Sequence, residues 1–191
     1  MPMPSGHSKR ETEIKLPLTG VAQGRRLLRQ AGFRVIRRKV FEDNTIFDTA
    51  GSTLRSSGLL LRLRGCGRRV LLTFKGPALV GRHKSRQELE LEISEAATFA
   101  QILAQLGFQP TFRYQKFRTE YTHPQSGGLA TLDQTPIGDF LELEGPPQWI
   151  DQTAAALGFR PADYVTASYA GLYAQYRQKN ASALTDMVFE R

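Results

Sequence analysis

In the pentapeptide Glu11-Thr12-Glu13-Ile14-Lys15, acid, acid and base take alternate positions. Side chains of a β-strand point alternately to opposite faces, so Glu11, Glu13 and Lys15 share one face while Thr12, Ile14 and Leu16 share the other. Such a face is either a solvated edge or one wall of a polar cavity. A single strand favours solvent, because antiparallel sheets usually leave one face in water. The pattern, however, recurs. On the same parity of later extended segments fall Arg62 and Arg64, Lys75, Arg86 with Glu88, Glu90 and Glu92, Lys116 and Arg118, Asp133, and Glu142 with Glu144. Their neighbours on the opposite parity are apolar or aromatic, among them Ile14, Leu61, Leu63, Phe74, Phe117, Leu141 and Leu143. This inverts the usual small barrel, whose interior is apolar.

The remaining periodicities supply covers for the apolar faces. Helices are expected over 20–31, after Thr19 as cap, from Ser94 to Leu106, over 148–157 and from Ala162 to Lys179. Strands are expected over 10–16, 33–48, 59–64, 70–75, 85–93, 111–122, 129–134 and 139–144. A strand bearing Glu-x-Glu, then a helix, then Gly-Phe occurs three times, ending at Gly32-Phe33, Gly107-Phe108 and Gly158-Phe159. The segment 49–58 and the basic loop from Gly76 to Lys84 read as irregular. The fold class is α+β, and the charged strand faces look either into bulk water or at one another across a closed barrel. The chain is expected to form one domain over 10–180, with a leader at 1–9 and a tail at 181–191.

Facing rows of both signs in a water-poor interior are tolerated only when paired or liganded. A polyphosphate with a divalent cation satisfies both rows, since arginine forks suit phosphate and carboxylate oxygens suit a hard cation. His7, His83 and His123 have no ligand spacing, which points to Mg²⁺ or Mn²⁺ and not Zn²⁺.

Composition narrows the setting. The chain has 191 residues, 40% hydrophobic and 23% charged, as expected of one globular domain. Its single cysteine, Cys66, excludes an intramolecular disulfide, and no run approaches the roughly 20 apolar residues of a membrane span. The first residues carry no apolar signal segment, so a cytoplasmic location without membrane attachment is expected. The net charge of +8 is compatible with an anionic partner. Arg25, Arg26, Arg29 and Arg37-Arg38-Lys39 read as a solvated face, and nucleic acid is the weaker reading. Gly65-Cys66-Gly67 lacks the Gly-Lys-Ser/Thr ending of a phosphate-binding loop.

Nine elements in order give the chain a family resemblance. They are Glu11-x-Glu13-x-Lys15, Phe47-Asp48-Thr49, Leu61 to Arg64, Thr73 to Pro77, Arg86-x-Glu88-x-Glu90, Lys116-x-Arg118-Thr119-x-Tyr121, Thr131 to Asp133, Gly138 to Glu144, and Ser168-Tyr169. Together they resemble the CYTH superfamily, also called triphosphate tunnel metalloenzymes, over about residues 10–177. The resemblance implies an eight-stranded antiparallel β-barrel with helices packed outside, forming a tunnel in which Lys15, Arg62, Arg64, Lys75, Lys116 and Arg118 grip a triphosphate. It implies that Glu11, Glu13, Asp133, Glu142 and Glu144 hold one or two cations. Glu13, Glu90 and Lys75 are the expected catalytic residues, with Glu90 positioning water. Arg86 is read as a partner of an acid across the barrel, and Arg177 or Lys179 as the basic residue of a C-terminal helix. The implied activity is metal-dependent hydrolysis of tripolyphosphate, thiamine triphosphate or a nucleoside triphosphate. The alternatives are a class IV adenylate cyclase forming cyclic AMP and pyrophosphate, and a polyphosphate- or nucleotide-binding module without turnover.

Overall fold

The apolar parity dictates the architecture. In a computed structural model of the protein, describing residues 9–125 and 127–190, the strands wrap their charged faces inward and present their apolar faces to helices. The elements run β1 (Lys9–Leu18), α1 (Val21–Gln30), β2 (Arg34–Thr49), α2 (Thr53–Ser56), β3 (Leu60–Cys66), β4 (Arg69–Lys75), β5 (Leu79–Val80), β6 (Lys84–Ile93) and α3 (Ala96–Gln105). There follow β7 (Phe108–Thr122), β8 (Leu129–Thr135), β9 (Gly138–Glu144), α4 (Pro147–Ala156), a 3₁₀ turn (Pro161–Asp163) and α5 (Tyr169–Lys179). All pairings between these strands are antiparallel, in the order β1-β9-β8-β7-β2-β3-β4-β6, and β6 returns to β1 to close an eight-stranded barrel. The two-residue β5 adds to β6 outside the ring.

Two cores lie outside the barrel wall. Ile14 and Leu16 of β1, Leu132 of β8 and Leu141 and Leu143 of β9 pack against Leu28 of α1 and Ile150 and Ala154 of α4. Phe47 and Leu63 pack against Leu103 of α3. Each fully buried leucine contributes about 1.5–3 kcal/mol, so the helices hold the barrel by its outer surface. Gly24 lets α1 lie close, because a Cβ there would meet Leu132 Cδ1 at 2.6 Å and Leu18 Cδ1 at 2.8 Å. The three Gly-Phe repeats end α1, α3 and α4, each glycine at positive φ; at Gly32 (φ 81°) the following Phe33 N–H closes the helix on Leu28 O at 2.9 Å.

Several local expectations shift. Thr19 does not cap α1; instead Gln23 Oε1 accepts from the Thr19 N–H at 2.7 Å. The segment 49–58 contains the one-turn α2, whose Leu54 and Arg55 backbone N–H groups donate to the Asp48 carboxylate at 2.9 and 3.0 Å. The expected helix from Ala162 begins only at Tyr169, capped by Ser168. Before it, Val165 exchanges two backbone hydrogen bonds with Lys15, at 2.8 and 2.9 Å, on the edge that β6 leaves after Glu13. Filling that edge outweighs helix propensity in a stretch already broken by Pro161 and the β-branched pair Val165-Thr166. Residues 181–190 are docked: Met187 is fully buried, and its backbone pairs with Arg113 and Gln115 of β7. The expected leader lies outside the described residues up to Ser8, as does His7.

Candidate active site

Each barrel strand contributes its inward parity to one cavity of about 450 Å³, within the size range of small-molecule sites. Eight bases line it: Lys15, Arg62, Arg64, Lys75, Lys84, Arg86, Lys116 and Arg118. Six acids join them: Glu11, Glu13, Glu88, Glu90, Glu142 and Glu144. The structure therefore brings together all six expected phosphate-gripping bases, four of the five expected cation ligands, and the three expected catalytic residues. Asp133, the fifth, lies fully buried behind this lining.

Register explains the neighbours. Across β1 and β9, Glu13 stands opposite Glu144 and Lys15 opposite Glu142. Lys15 Nζ accordingly lies 3.3 Å from Glu13 Oε1 and 3.2 Å from Glu142 Oε2. On β6, Lys84 reaches the same Glu13 oxygen at 2.9 Å. Lys75 is clasped between Glu11 and Glu88, 3.1 Å from the latter. Arg86 Nε approaches Glu11 only to 4.0 Å.

The opposite wall is knitted by Asp133 and Glu42. Both oxygens of Asp133 are occupied: Arg118 donates through Nε at 2.7 Å and Nη2 at 2.6 Å, Lys116 Nζ donates at 2.9 Å, and the Tyr169 hydroxyl donates at 2.7 Å. Glu42 lies 3.5 Å from Lys116 Nζ and 3.6 Å from Arg64 Nη1. Arg62 donates to the Tyr114 hydroxyl at 3.0 Å and to Thr73 at 3.1 Å, and Thr73 donates to Glu90 at 3.0 Å.

These contacts set the charge states. Burial opposes ionisation of Glu13, but Lys15 and Lys84 outweigh it and hold its carboxyl down to about 2. Glu42 is likewise buried, and Lys116 and Arg64 hold it at about 2. Burial pushes Glu11 above the usual carboxylate range despite Lys75. Burial also opposes ionisation of Tyr114, yet Arg62, Arg64 and Lys116 bring its hydroxyl down to about 8. Tyr169 moves the other way, raised by burial and then by Asp133 and Glu142.

Sequence reasoning missed Lys84, Glu42 and Tyr114, and gave Tyr169, quoted only as a motif residue, no role. Lys84 follows a glycine-containing loop but opens β6; Glu42 shares the inward parity of Asn44 and precedes it in a long strand with no Glu-x-Glu signature. Tyr114 precedes Lys116 on the inward parity of β7, which was a usable signal. Glu92 instead faces solvent, where it pairs with Arg69 at 2.8 Å. Arg177 and Lys179 are exposed on α5 and do not line the cavity.

The donor set suits a hard cation: carboxylate oxygens and no histidine or cysteine line the cavity. Among the described residues, no three His, Cys, Asp or Glu side chains converge closely enough to enclose one. Glu11 and Glu13 are instead engaged by lysines.

Comparison with known proteins decides the family. The CYTH domain family matches residues 9–157. The chain belongs to the CYTH family. A relative from Methanocaldococcus jannaschii, named as a candidate adenylate cyclase, is 30% identical over 135 residues, covering 70% of this chain and 75% of the relative. Among solved structures, the CYTH chain is similar to a candidate adenylate cyclase from Vibrio parahaemolyticus (TM-score 0.75, 19% identity, 88% of this chain and 99% of the other). It is similar in fold to a candidate adenylyl cyclase from Hippeastrum for which a dominant triphosphatase activity is described (TM-score 0.60, 21% identity, 88% and 96%). Among the described residues, no helix of this CYTH protein is long and apolar enough to cross a membrane.

Proposed function

We propose that the chain hydrolyses a triphosphate substrate with the help of Mg²⁺ or Mn²⁺. The observation that carries this reading is the cavity itself, in which buried arginines and lysines on one arc face a carboxylate wall on β1 and β9. Simple anion binding needs bases only. Phosphoryl transfer also needs groups that manage a cation and a water, because its loose transition state is stabilised by positioning and charge. The triphosphatase activity described for the Hippeastrum protein points the same way.

In this reading Arg62, Arg64, Lys116 and Arg118 take the phosphate oxygens, with Lys15 and Lys75 completing the grip. Asp133 and Glu42 aim Lys116, Arg118 and Arg64 from behind. Because they line the cavity whereas Asp133 lies behind the lining, Glu11, Glu13, Glu142 and Glu144 would hold the cation, exchanging basic partners for it. When bound, it neutralises phosphate charge and makes its coordinated water a better nucleophile. Glu90, tied to Thr73 at the cavity, orients water by accepting its proton in a hydrogen bond. Lys75 supplies positive charge beside the Glu11–Glu88 pair.

A metal-by-substrate screen with identified products tests this, using tripolyphosphate, thiamine triphosphate and ATP. Glu13→Gln and Arg64→Ala are the controls, and unchanged rates in both would rule out the tunnel chemistry. A second reading, cyclisation of ATP, is favoured by the naming of the Methanocaldococcus relative and by the apolar side chains Ile46, Leu60 and Ala170 in the cavity lining. Cyclic AMP with pyrophosphate, in place of ADP with phosphate, decides for it.

A further inference from the structure

The net charge is not spread over the molecule. Between Glu13 and Glu42 the chain carries eight cations and no acid, while the rest holds 18 of each sign. The entire +8 therefore resides in one segment, and only Lys15 of that segment points into the tunnel. The others belong to α1 and the first half of β2. Five of these seven, Arg25, Arg26, Arg29, Arg38 and Lys39, border a second concavity of about 610 Å³ on the outside of the barrel, while Arg37 pairs with Glu120.

This groove has two cationic walls and an apolar floor. Arg25, Arg26 and Arg29 form the α1 wall, and Arg38 and Lys39 the β2 wall. Adjacent residues of a regular strand face opposite ways; register shifts between Val35 and Val40 break the alternation and let both Arg38 and Lys39 border the groove. Phe33 and Val35 lie between the walls, above the buried Tyr121. Val35 and its neighbour Ile36 are 51% and 57% exposed, unusual for a strand flanked by so many cations. Among the described residues, no carboxylate lies within ion-pair distance of Arg25, Arg26, Arg29 or Arg38; Arg25 meets the Tyr121 hydroxyl, and Arg26, Arg29 and Arg38 are exposed.

We propose that this groove binds single-stranded nucleic acid, with phosphates on the two arginine-bearing walls and bases on the Phe33–Val35 floor. Arg25 and Arg29 are one helical turn apart, about 6 Å along the axis, and give a linear polyanion successive contacts. A concave site walled on both sides suits a strand better than a flat lipid surface. The apolar floor adds a contact that inorganic polyphosphate has no means to use, whereas every base presents a π-face. The groove is separate from the tunnel, and its occupancy requires no turnover. Failure of the hydrolytic reading therefore leaves this proposal standing, and the reverse also holds.

The test is fluorescence anisotropy with a short fluorescein-labelled single-stranded DNA of mixed sequence, lacking a 5′-phosphate so that the tunnel is not engaged. Saturable binding is expected, unaffected by saturating tripolyphosphate. Its dependence on log salt should flatten by about 2 in the variant Arg25→Gln/Arg29→Gln/Arg38→Gln, at about 0.7 per lost contact. Affinity should fall about tenfold or more in that variant at low salt. Val35→Ser, at an exposed site, should weaken binding without changing the salt slope. Unchanged circular dichroism keeps misfolding out of the comparison. Absence of binding at low salt overturns the proposal, as does binding that the triple variant retains. So does inorganic polyphosphate of matched charge competing as well as the oligonucleotide. Capture by phosphatidylserine vesicles with no capture of the oligonucleotide would assign the groove to a membrane surface and overturn it equally.

Discussion

Lys84 Nζ lies 2.9 Å from Glu13 Oε1, the same oxygen that Lys15 Nζ approaches to 3.3 Å. Two ammonium groups thus share one buried carboxylate that the proposed mechanism assigns to a cation. Lysine and metal contend for it. Lys84→Met is expected to raise the KM for the triphosphate about tenfold, the loss of one charge-assisted contact. The metal concentration for half-maximal rate should fall. Steady-state kinetics across a metal titration measures both, and parallel movement of the two constants would contradict the assignment.

Asp151 of α4 sits outside the tunnel yet holds the chain on both flanks of this pair. It accepts from Tyr164 at 3.1 Å, beside the Val165 that pairs with Lys15, and it contacts Arg82 at 3.3 Å and His83 Nε2 at 2.8 Å, beside Lys84. Misplacement by about 1 Å costs up to about 10²-fold in rate. Asp151→Ala should lower kcat/KM by about tenfold or more. In combination with Lys84→Met the effects should be less than additive, because one acts partly through the other. Full additivity would show that Asp151 does not act through Lys84.

Glu42 is 1% exposed and compensates Lys116 and Arg64. Glu42→Gln leaves those cations short of a counter-charge and should destabilise the protein by about 3–5 kcal/mol. A bound polyanion substitutes for the missing carboxylate. Tripolyphosphate should therefore raise the urea midpoint of the variant more than that of the parent protein.

The depressed carboxyls of Glu13 and Glu42 fix the acid limb of stability. Their contribution is complete above the unfolded value near 4.5 and is lost as pH falls through about 2. The melting temperature should decline steeply between those values. The decline should be shallower in Glu42→Gln, read by calorimetry across pH.

Tyr114 offers an optical probe of the tunnel. One of the six tyrosines should ionise near pH 8, about two units below the ordinary value, and Tyr114→Phe should remove that step from the ultraviolet titration. Tripolyphosphate should shift the step upward by neutralising Arg62 and Arg64.

Strand identity and the inward set were legible because period-2 alternation survives in short, regular strands such as β3, β4 and β9. It is obscured where register slips. In β2, shifts near Val35, Arg37 and Ile46 hide that Glu42 and Asn44 face inward. Edges are also invisible to local pattern. Val165 is extended because Lys15 has a free edge, and Lys15 lies 150 positions earlier in the chain. Local pattern likewise does not show that the Tyr169 hydroxyl donates to Asp133, 36 positions earlier in the chain.

Seven of the eight tunnel bases are met by carboxylates or polar oxygens before any ligand arrives, and Arg86 stands off at 4.0 Å from Glu11. An arriving anion therefore enters by exchange, and its binding energy is the difference between new contacts and displaced ones. A triphosphate has charge enough to displace several carboxylates at once; a single orthophosphate does not. In the proposed hydrolysis this exchange would favour the triphosphate over its product. Removing acids from the lining should then slow the release of that product.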